Sequence, residues 1–148
     1  MSDSKKLNRY VLHVDDDVDD RELMREVMEE QDSTISVYHA ENGISALDYL
    51  VDAKASGNLP SLIIVDLNMP KMDGKDLVKE LKKDEQLSMI PLVIFTTSTS
   101  EADRAFAQKY GVKFFTKPTS YRQLSEILRQ LLYLLSLGYA LLSLHILM

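Results

Sequence analysis

Short β-type apolar runs alternate with helix-length amphipathic segments along this chain of 148 residues. The pattern predicts strands at 10–14, 35–39, 62–65, 92–96 and 114–116, and helices at 18–30, 44–55, 75–83, 102–110 and after residue 120. Each return to a parallel neighbour requires a crossover, which an intervening helix supplies. The runs LIIV and LVIF are apolar throughout, as is typical of strands that are covered on both faces. The sequence therefore predicts an α/β fold with a doubly wound, five-stranded parallel sheet.

Size, charge and composition limit the possible classes of protein. At 148 residues the chain is long enough for one domain with its own core and too short for two ordinary ones. The net charge of −6 argues against broad nucleic-acid binding, because clustered Lys and Arg hold phosphate backbones. The chain has no Cys for a disulfide or a thiolate metal site, and its start lacks the apolar stretch of a secretory signal. We therefore expect a cytoplasmic protein that does not bind nucleic acid.

Chemically reactive side chains stand where the predicted strands end. Asp15 and Asp16 follow the first strand, and Asp66 follows the third. Thr96 ends the fourth strand, and Lys117 follows the fifth. Because the carboxyl ends of parallel strands open on one edge of the sheet, these residues are expected to meet in a single crevice. That crevice is the predicted functional site.

The carboxylates of Asp15, Asp16 and Asp66 predict a cation site. Ionised carboxylates that share a crevice repel one another, and burying them without compensation is costly. Oxygen ligands without His or Cys favour a hard ion, and Mg²⁺ typically takes one or two carboxylates together with a phosphate oxygen. The cluster therefore indicates a Mg²⁺ site that is open to a phosphoryl group. The alternative is that the acidic residues 15–20 only cap and solvate the first helix.

The neighbouring residues favour phosphoryl chemistry. A carboxylate forms an aspartyl-phosphate when the charge on the transferring oxygens is neutralised, and Asp66 is the best nucleophile candidate. Lys117 would supply a positive charge to one phosphoryl oxygen, and Thr96 a hydroxyl donor to another. Taken singly, Lys117 is an ordinary surface lysine and Thr96 an ordinary strand residue. Their joint position at strand ends favours the functional interpretation.

Four motifs together resemble the receiver domain of two-component response regulators. They read HVDDD, IIVDLNMPKMDG, IFTTS and FTKP, in the order and at the spacing of that family, across residues 8–130. The resemblance implies a flavodoxin-like fold with strand order 2-1-3-4-5. It also implies that Asp66 accepts a phosphoryl group from the phosphohistidine of a sensor histidine kinase or phosphotransfer protein. We expect a stand-alone receiver that signals to a downstream protein by contact and is not a classical enzyme, with self-catalysed phosphoryl transfer and slow autodephosphorylation.

The resemblance also implies a set of Mg²⁺ ligands. Asp16 and Asp66 would bind the ion through their carboxylates. Asn68 would bind it through its backbone carbonyl, and Asp15 would bind it through a water molecule. These roles come from matching the motifs HVDDD and IIVDLNMP to the family, and the sequence carries no independent sign of the role of Asn68. Mg²⁺ is therefore the expected cofactor.

A switch is implied by the same resemblance. Thr96 matches the family's switch hydroxyl, Phe114 its aromatic switch position, and Lys117–Pro118 its usual cis peptide. Phosphorylation adds charge and acceptor oxygens near Thr96, and a hydroxyl drawn toward them would vacate volume that Phe114 can fill. The alternative is that Phe114 is a plain core aromatic. Thr97 stands where other receivers commonly have a smaller residue, which affects the expected lifetime of the aspartyl-phosphate.

Three other functions fit parts of the sequence. A phosphatase of the haloacid-dehalogenase type would use Asp15 as nucleophile and Asp17 as its partner. An EF-hand calcium loop would use Asp15, Asp17, Asp19 and Glu26, but Asp20 stands where that loop requires glycine. The third alternative is a receiver-like interaction module that is never phosphorylated, against which the intact set of site residues counts.

An uncharged segment, LLYLLSLGYALLSLHILM, fills residues 131–148. We expect it to continue the last helix as an apolar extension beyond the receiver domain at 8–130. Arg122, Arg129, Ser136 and Ser143 recur every seven residues and form a thin polar stripe, which is typical of a helix packed between others. An apolar face this wide favours a homodimer or a partner protein. Membrane attachment and an extension foreign to the domain are the alternatives.

Overall fold

The computed structural model describes residues 9–137, which form a parallel sheet between two layers of helices. The strands are β1 (Tyr10–Val14), β2 (Ser36–Ala40), β3 (Leu62–Val65), β4 (Leu92–Thr96) and β5 (Lys113–Thr116). The helices are α1 (Val18–Gln31), α2 (Gly43–Ser56), α3 (Gly74–Lys83), α4 (Glu101–Lys109) and α5 (Tyr121–Leu137), and a single 3-10 turn spans Leu87–Met89. Neighbouring strands are all parallel, in the order β2-β1-β3-β4-β5.

The predicted α/β fold with strand order 2-1-3-4-5 is confirmed. The predicted bounds of β1, β3 and β4 are the observed ones, while β2 lies one residue later and β5 begins one residue earlier. Such differences arise because a strand ends where its pairing with the neighbouring strand ends: Ala40 belongs to β2 because it pairs with Val14, and Lys113 belongs to β5 because it pairs with Val93. The 3-10 turn before β4 was not predicted.

Two apolar layers form the core, one on each face of the sheet. Along the central strands, successive side chains enter opposite layers: Leu12 and Ile63 face α2, α3 and α4, whereas Val11 and Ile64 face α1 and α5. Every residue of β1, β3 and β4 is buried. This explains the continuous apolar runs in the sequence, because both faces of these strands are covered. The strand ends are therefore held in fixed positions relative to one another.

Side-chain oxygens cap the helices that start near the strand ends. Asp17 accepts hydrogen bonds from the first turn of α1, and Asp73 accepts one from the first turn of α3. Ser100 caps α4 and Ser120 caps α5, since their hydroxyls accept hydrogen bonds from the amides of Asp103 and Gln123. The capping alternative for residues 15–20 is therefore correct for Asp17.

Helix α5 extends the core beyond the expected end of the domain. Leu131 and Leu132 are only 1% and 8% exposed and pack in the layer shared with α1. The first two residues of the uncharged segment are therefore covered within the chain, because α5 stays on the sheet that far. The domain boundary after residue 130 stays a prediction. Residues 138–148 of the predicted extension lie outside the described residues.

A membrane span is absent from the part of the chain that the structure describes. Within residues 9–137, no helix combines the length and the apolar character that crossing a bilayer requires. Helix α5, Tyr121–Leu137, reaches 17 residues and has charged residues in its first half.

Replacing Leu131 with Ala is expected to lower the free energy of unfolding by about 2–5 kcal/mol, because it leaves a cavity between α5 and the sheet. Gln123→Ala is the matched control on the same helix, since the side chain of Gln123 is exposed, and its cost is expected to stay within about 0.5 kcal/mol. Urea unfolding followed by circular dichroism measures both. Equal stability of the two variants would show that residue 131 lies outside the core.

Candidate functional site

The ends of β1, β3 and β5 bring Asp15, Asp66 and Lys117 to one edge of the sheet. Pairing extends one residue past each strand: the amide of Asp15 donates to Ala40 (3.0 Å) and that of Asp66 to Val14 (3.0 Å). The amide of Lys117 donates to the carbonyl of Thr96 (2.8 Å). The backbone at each position is therefore fixed by the sheet, which is why the predicted crevice forms.

Three carboxylates face one another in this crevice. Asp15, Asp16 and Asp66 each offer an oxygen, and these oxygens lie within 4.8 Å of one another. Asp15 is fully buried, Asp66 is 6% exposed, and Asp16 is exposed to solvent. A buried all-oxygen set with one open side suits a hard divalent cation that keeps part of its water shell. The residues predicted to hold Mg²⁺ through carboxylates are therefore brought together; the backbone carbonyl of Asn68 stays a prediction.

Lys117 joins the carboxylates. Its Nζ atom lies 2.9 Å from Asp15 Oδ2, 2.6 Å from Asp20 Oδ2 and 3.5 Å from Asp66 Oδ2. The sequence predicted the first and third of these neighbours. It did not predict the contact with Asp20. That contact depends on the distance between the end of β5 and the start of α1, which no sequence motif specifies.

Burial and charge act in opposite directions on these groups. Burial raises the pKa of Asp66 above its usual value, while the charge of Lys117 opposes the increase. The pKa of Asp15 is raised by burial in the same way, against the hydrogen bond from Lys117. Burial alone would lower the pKa of Lys117, but hydrogen bonds to Asp20 and Asp15 and the charge of Asp66 raise it above its usual range. Lys117 is therefore held as a fixed positive charge.

The hydroxyl of Thr96 is buried beside Asp66 and held from two sides. It accepts hydrogen bonds from the amide of Ser98 (3.2 Å) and from Nδ2 of Asn68 (3.4 Å). Its proton is therefore left for another acceptor, and a hydrogen bond with Thr96 helps to hold down the pKa of Asp66. Thr96 is placed where a donor to a group on Asp66 is required.

The loop between β4 and α4 is tied to the start of α3. The hydroxyl of Ser98 donates to Asp103, whose other oxygen pairs with Lys75 at 2.5 Å. Lys75 Nζ also lies 5.5 Å from the centre of the Phe106 ring. The loop that carries Ser98, whose amide donates to Thr96, is therefore held by the ion pair between Lys75 and Asp103. The sequence did not predict this ion pair.

Phe114 is half-buried on β5, between solvent and the core. It packs against the layer of α2, α3 and α4, and the guanidinium of Arg104 lies 4.8 Å from the centre of its ring. Arg104 also donates to the hydroxyl of Thr116 (3.4 Å). Phe114 is therefore a partly covered side chain rather than a plain core aromatic, and its switch role stays a prediction.

The predicted cis peptide between Lys117 and Pro118 is wrong for this structure. Among residues 9–137, every peptide bond is trans. The sequence alone could not decide the isomer, because the two forms of a bond before proline differ by only about 0.5–1 kcal/mol.

Gly74 permits the loop after Asp66 to close against its strand. A Cβ atom at this position would lie 2.2 Å from the carbonyl oxygen of Asp66 and 2.6 Å from Cα of Leu67. These neighbours are backbone atoms that cannot move aside. The glycine in the MDG motif is therefore required for the close approach of α3 to the site.

Comparison with known proteins assigns the chain to a family. The family model described as the response regulator receiver domain matches residues 11–129. Response regulator Rcp1 of Synechocystis sp. is 30% identical over 132 residues, which cover 87% of this chain and 90% of that protein. The probable methanogenesis regulatory protein FilR2 of Methanothrix harundinacea is 36% identical over 93 residues, which cover 61% of this chain and 59% of that protein's length.

Solved structures have the same fold. The phosphorylated cyanobacterial phytochrome response regulator RcpA superposes with a TM-score of 0.77 and 30% identity, over 84% of this chain and 91% of that chain. The Mn²⁺-bound form of response regulator Rcp1 superposes with a TM-score of 0.74 and 28% identity, over 83% of this chain and 91% of that chain.

The chain therefore belongs to the response regulator receiver family of two-component signalling systems, with a flavodoxin-like fold. Members of this family are signalling proteins rather than classical enzymes. The calcium-loop alternative is excluded because Asp15 follows a strand rather than a helix. The family assignment also excludes the phosphatase alternative. All of the predicted site residues lie within the matched segment.

Two histidines, His13 and His39, lie side by side next to the carboxylates. They pair across β1 and β2, and their ring centres are 5.5 Å apart. Burial, followed by the charge of His39, lowers the pKa of His13 to about 3. Burial and the nearby Arg25 and Arg21 lower the pKa of His39 to about 4. Both imidazole rings are therefore neutral near neutral pH. The histidines thus add no positive charge next to the carboxylates, whereas Lys117 does.

The lowered pKa values of the two histidines are expected to make the protein less stable in acid. The pKa of His39 falls from 6.5 to about 4 on folding, so the unfolded chain binds more protons between these values and stability decreases as the pH falls through that range. His39→Gln should lose less stability than the wild type between about pH 7 and about pH 5, as measured by urea unfolding. The raised pKa values of Asp15 and Asp66 act in both proteins and cancel in the comparison. Equal losses would contradict the prediction.

Proposed function

We propose that this chain is a phosphoacceptor response regulator that takes a phosphoryl group from a phosphohistidine onto Asp66 in a Mg²⁺-dependent reaction. The donor would be a sensor histidine kinase or a phosphotransfer protein. The observation that carries the proposal is the convergence of Lys117 with the carboxylates of Asp15 and Asp66 on one sheet edge. The family assignment and the phosphorylated relative RcpA support it.

In the transfer, a carboxylate oxygen of Asp66 bonds to phosphorus as the P–N bond of the phosphohistidine breaks. The electron pair of that bond goes to the imidazole nitrogen, which later takes a proton from water. Lys117 donates to a phosphoryl oxygen and Thr96 donates to another, which stabilises the charge that gathers on these oxygens. The charge of Lys117 also favours the ionised form of Asp66, which the reaction requires.

A divalent cation at the acidic cluster fits this chemistry. Asp16 and Asp66 would hold it through carboxylates, Asn68 through its carbonyl, and Asp15 through water. When bound, Mg²⁺ neutralises charge on the transferring oxygens. The all-oxygen cluster and the Mn²⁺-bound relative Rcp1 support this assignment.

The proposed switch starts at the hydroxyl of Thr96. A phosphoryl group on Asp66 offers acceptor oxygens to this hydroxyl, and its movement would open space toward Phe114. Phe114 would then leave its contact with Arg104, which loosens α4 and changes the surface that a downstream protein reads. The exposed Thr97 would limit water access to the aspartyl-phosphate and slow its hydrolysis.

The rim of the site offers a docking surface for the phosphodonor protein. Val18 and Leu23 on α1 are 52% and 36% exposed, although both are apolar. Leu23 also lines a pocket of about 120 Å³ between α1 and the segment that follows Lys117. An apolar surface beside a charged crevice suits a protein partner that brings its phosphohistidine to Asp66.

Self-association through the C-terminal helix is the second part of the proposal. Tyr133 and Leu137 on α5 are 63% and 47% exposed, and Tyr133 borders a groove of about 430 Å³ beside Phe115 of β5. We propose that a second copy of the chain covers this surface, because β5 is an edge strand and the apolar face of α5 continues past it.

A double variant, Tyr133→Asp with Leu137→Asp, is expected to halve the molar mass measured by size-exclusion chromatography with light scattering, because charge is not tolerated in an apolar interface. Val51→Asp on α2 is the matched control, since Val51 is 52% exposed and α2 packs on the opposite face of the sheet from α5. A wild-type monomer contradicts the homodimer. Co-sedimentation of a monomeric wild type with lipid vesicles would favour the membrane alternative.

Phosphorylation of Asp66 is tested with a small P–N donor. Incubation with phosphoramidate and Mg²⁺ is expected to add the mass of one phosphoryl group to the wild type and none to Asp66→Asn, as measured by intact mass spectrometry. Asp48→Asn on the exposed face of α2 is the control and should be labelled as the wild type is. EDTA should abolish labelling. Labelling that persists in Asp66→Asn rejects this acceptor, and a wild type that is never labelled favours the unphosphorylated interaction module.

A further inference from the structure

Asp20 makes the shortest contact of the site lysine. Its Oδ2 atom accepts a hydrogen bond of 2.6 Å from Lys117 Nζ, compared with 2.9 Å for Asp15. Asp20 belongs to α1, and it is neither the proposed phosphoacceptor nor one of the proposed metal ligands. The proposed reaction therefore assigns no role to the contact between Asp20 and Lys117.

The ammonium group of Lys117 has one donor left after these two bonds. A lysine ammonium carries three N–H groups. Asp15 and Asp20 accept two of them, and Asp66 Oδ2 lies 3.5 Å away, beyond the usual hydrogen-bond range. A phosphoryl oxygen on Asp66 would thus meet a donor that is close by and still free, without breaking either existing bond.

A lysine side chain needs such an anchor because its stem is flexible. Its rotamer freedom is worth about 2 kcal/mol, and a single hydrogen bond to Asp15 would let the ammonium rotate about that contact. Asp20 supplies a second fixed point. Its own backbone is held, because its amide donates to the capping carboxylate of Asp17 (3.1 Å) at the start of α1. The Lys117 charge is therefore fixed from β1 and α1 together.

We propose that Asp20 is a positioning residue for phosphoryl transfer, which holds the ammonium of Lys117 directed at the phosphoryl oxygens on Asp66. The proposal rests on the proposed function of Asp66. A carboxylate that merely competed for Lys117 would slow the reaction, so its removal would speed labelling. A positioning carboxylate has the opposite effect, and the sign of the change distinguishes the two roles.

Three variants test the role of Asp20. Asp20→Ala removes the anchor, and Asp20→Asn removes the charge but keeps an oxygen that can accept from Lys117. Asp19→Ala is the matched control, since it removes the same charge from the same helix turn, and in the described chain Asp19 forms no ion pair with Lys117. The rate constant for labelling by phosphoramidate is measured at saturating Mg²⁺, together with the Mg²⁺ concentration for half-maximal rate and the melting temperature.

Asp20→Ala is expected to lower the maximal labelling rate about tenfold, because a misplaced charge no longer stabilises the transition state. Asp20→Asn should lose less, Asp19→Ala should match the wild type, and the half-maximal Mg²⁺ concentration and the melting temperature should not change. A rate for Asp20→Ala equal to or above the wild type overturns the proposal, as does an equal loss in Asp19→Ala. A wild type that is not labelled at all refutes the proposed function instead, so the two failures are distinguishable.

Discussion

The site depends on one electrostatic contact, between the ammonium of Lys117 and the carboxylates of Asp15, Asp20 and Asp66. Burial raises the pKa values of Asp15 and Asp66, and a neighbouring carboxylate raises each of them further. The positive charge of Lys117 opposes these increases. Because it comes from the end of β5 while the carboxylates come from β1, α1 and β3, the same contact ties the two sides of the sheet edge together.

The sheet makes this contact possible because it fixes the backbone where each strand ends. Gly74 lets α3 start directly against the backbone of Asp66, and the ion pair of Lys75 with Asp103 holds the loop after β4. The hydroxyl of Thr96 consequently lies between two donors, the amide of Ser98 and Nδ2 of Asn68. Phe114, by contrast, is only partly covered. Its side chain can therefore move with a smaller loss of packing than a buried one when the charge at Asp66 changes.

Some features could be predicted because they depend on local patterns. The caps of α4 and α5 by Ser100 and Ser120 are local in this sense, since a cap needs only a hydroxyl and the amide three residues further along the chain. The alternation of apolar runs predicted the strands, and the family resemblance implied their order. Leu131 was misjudged, because its burial depends on how far α5 follows the sheet, and an uncharged segment looks the same whether a neighbour covers it or not.

The sequence by itself determined which residue types stand at the strand ends, and so it determined the chemistry of Asp15, Asp16, Asp66, Thr96 and Lys117. These positions follow from strand periodicity, which is local. Only the tertiary structure decided the third carboxylate on the lysine and the isomer of the peptide before the proline. The first depends on the distance between segments that are 97 residues apart in sequence. The second depends on a free-energy difference of only about 0.5–1 kcal/mol, which no local pattern records.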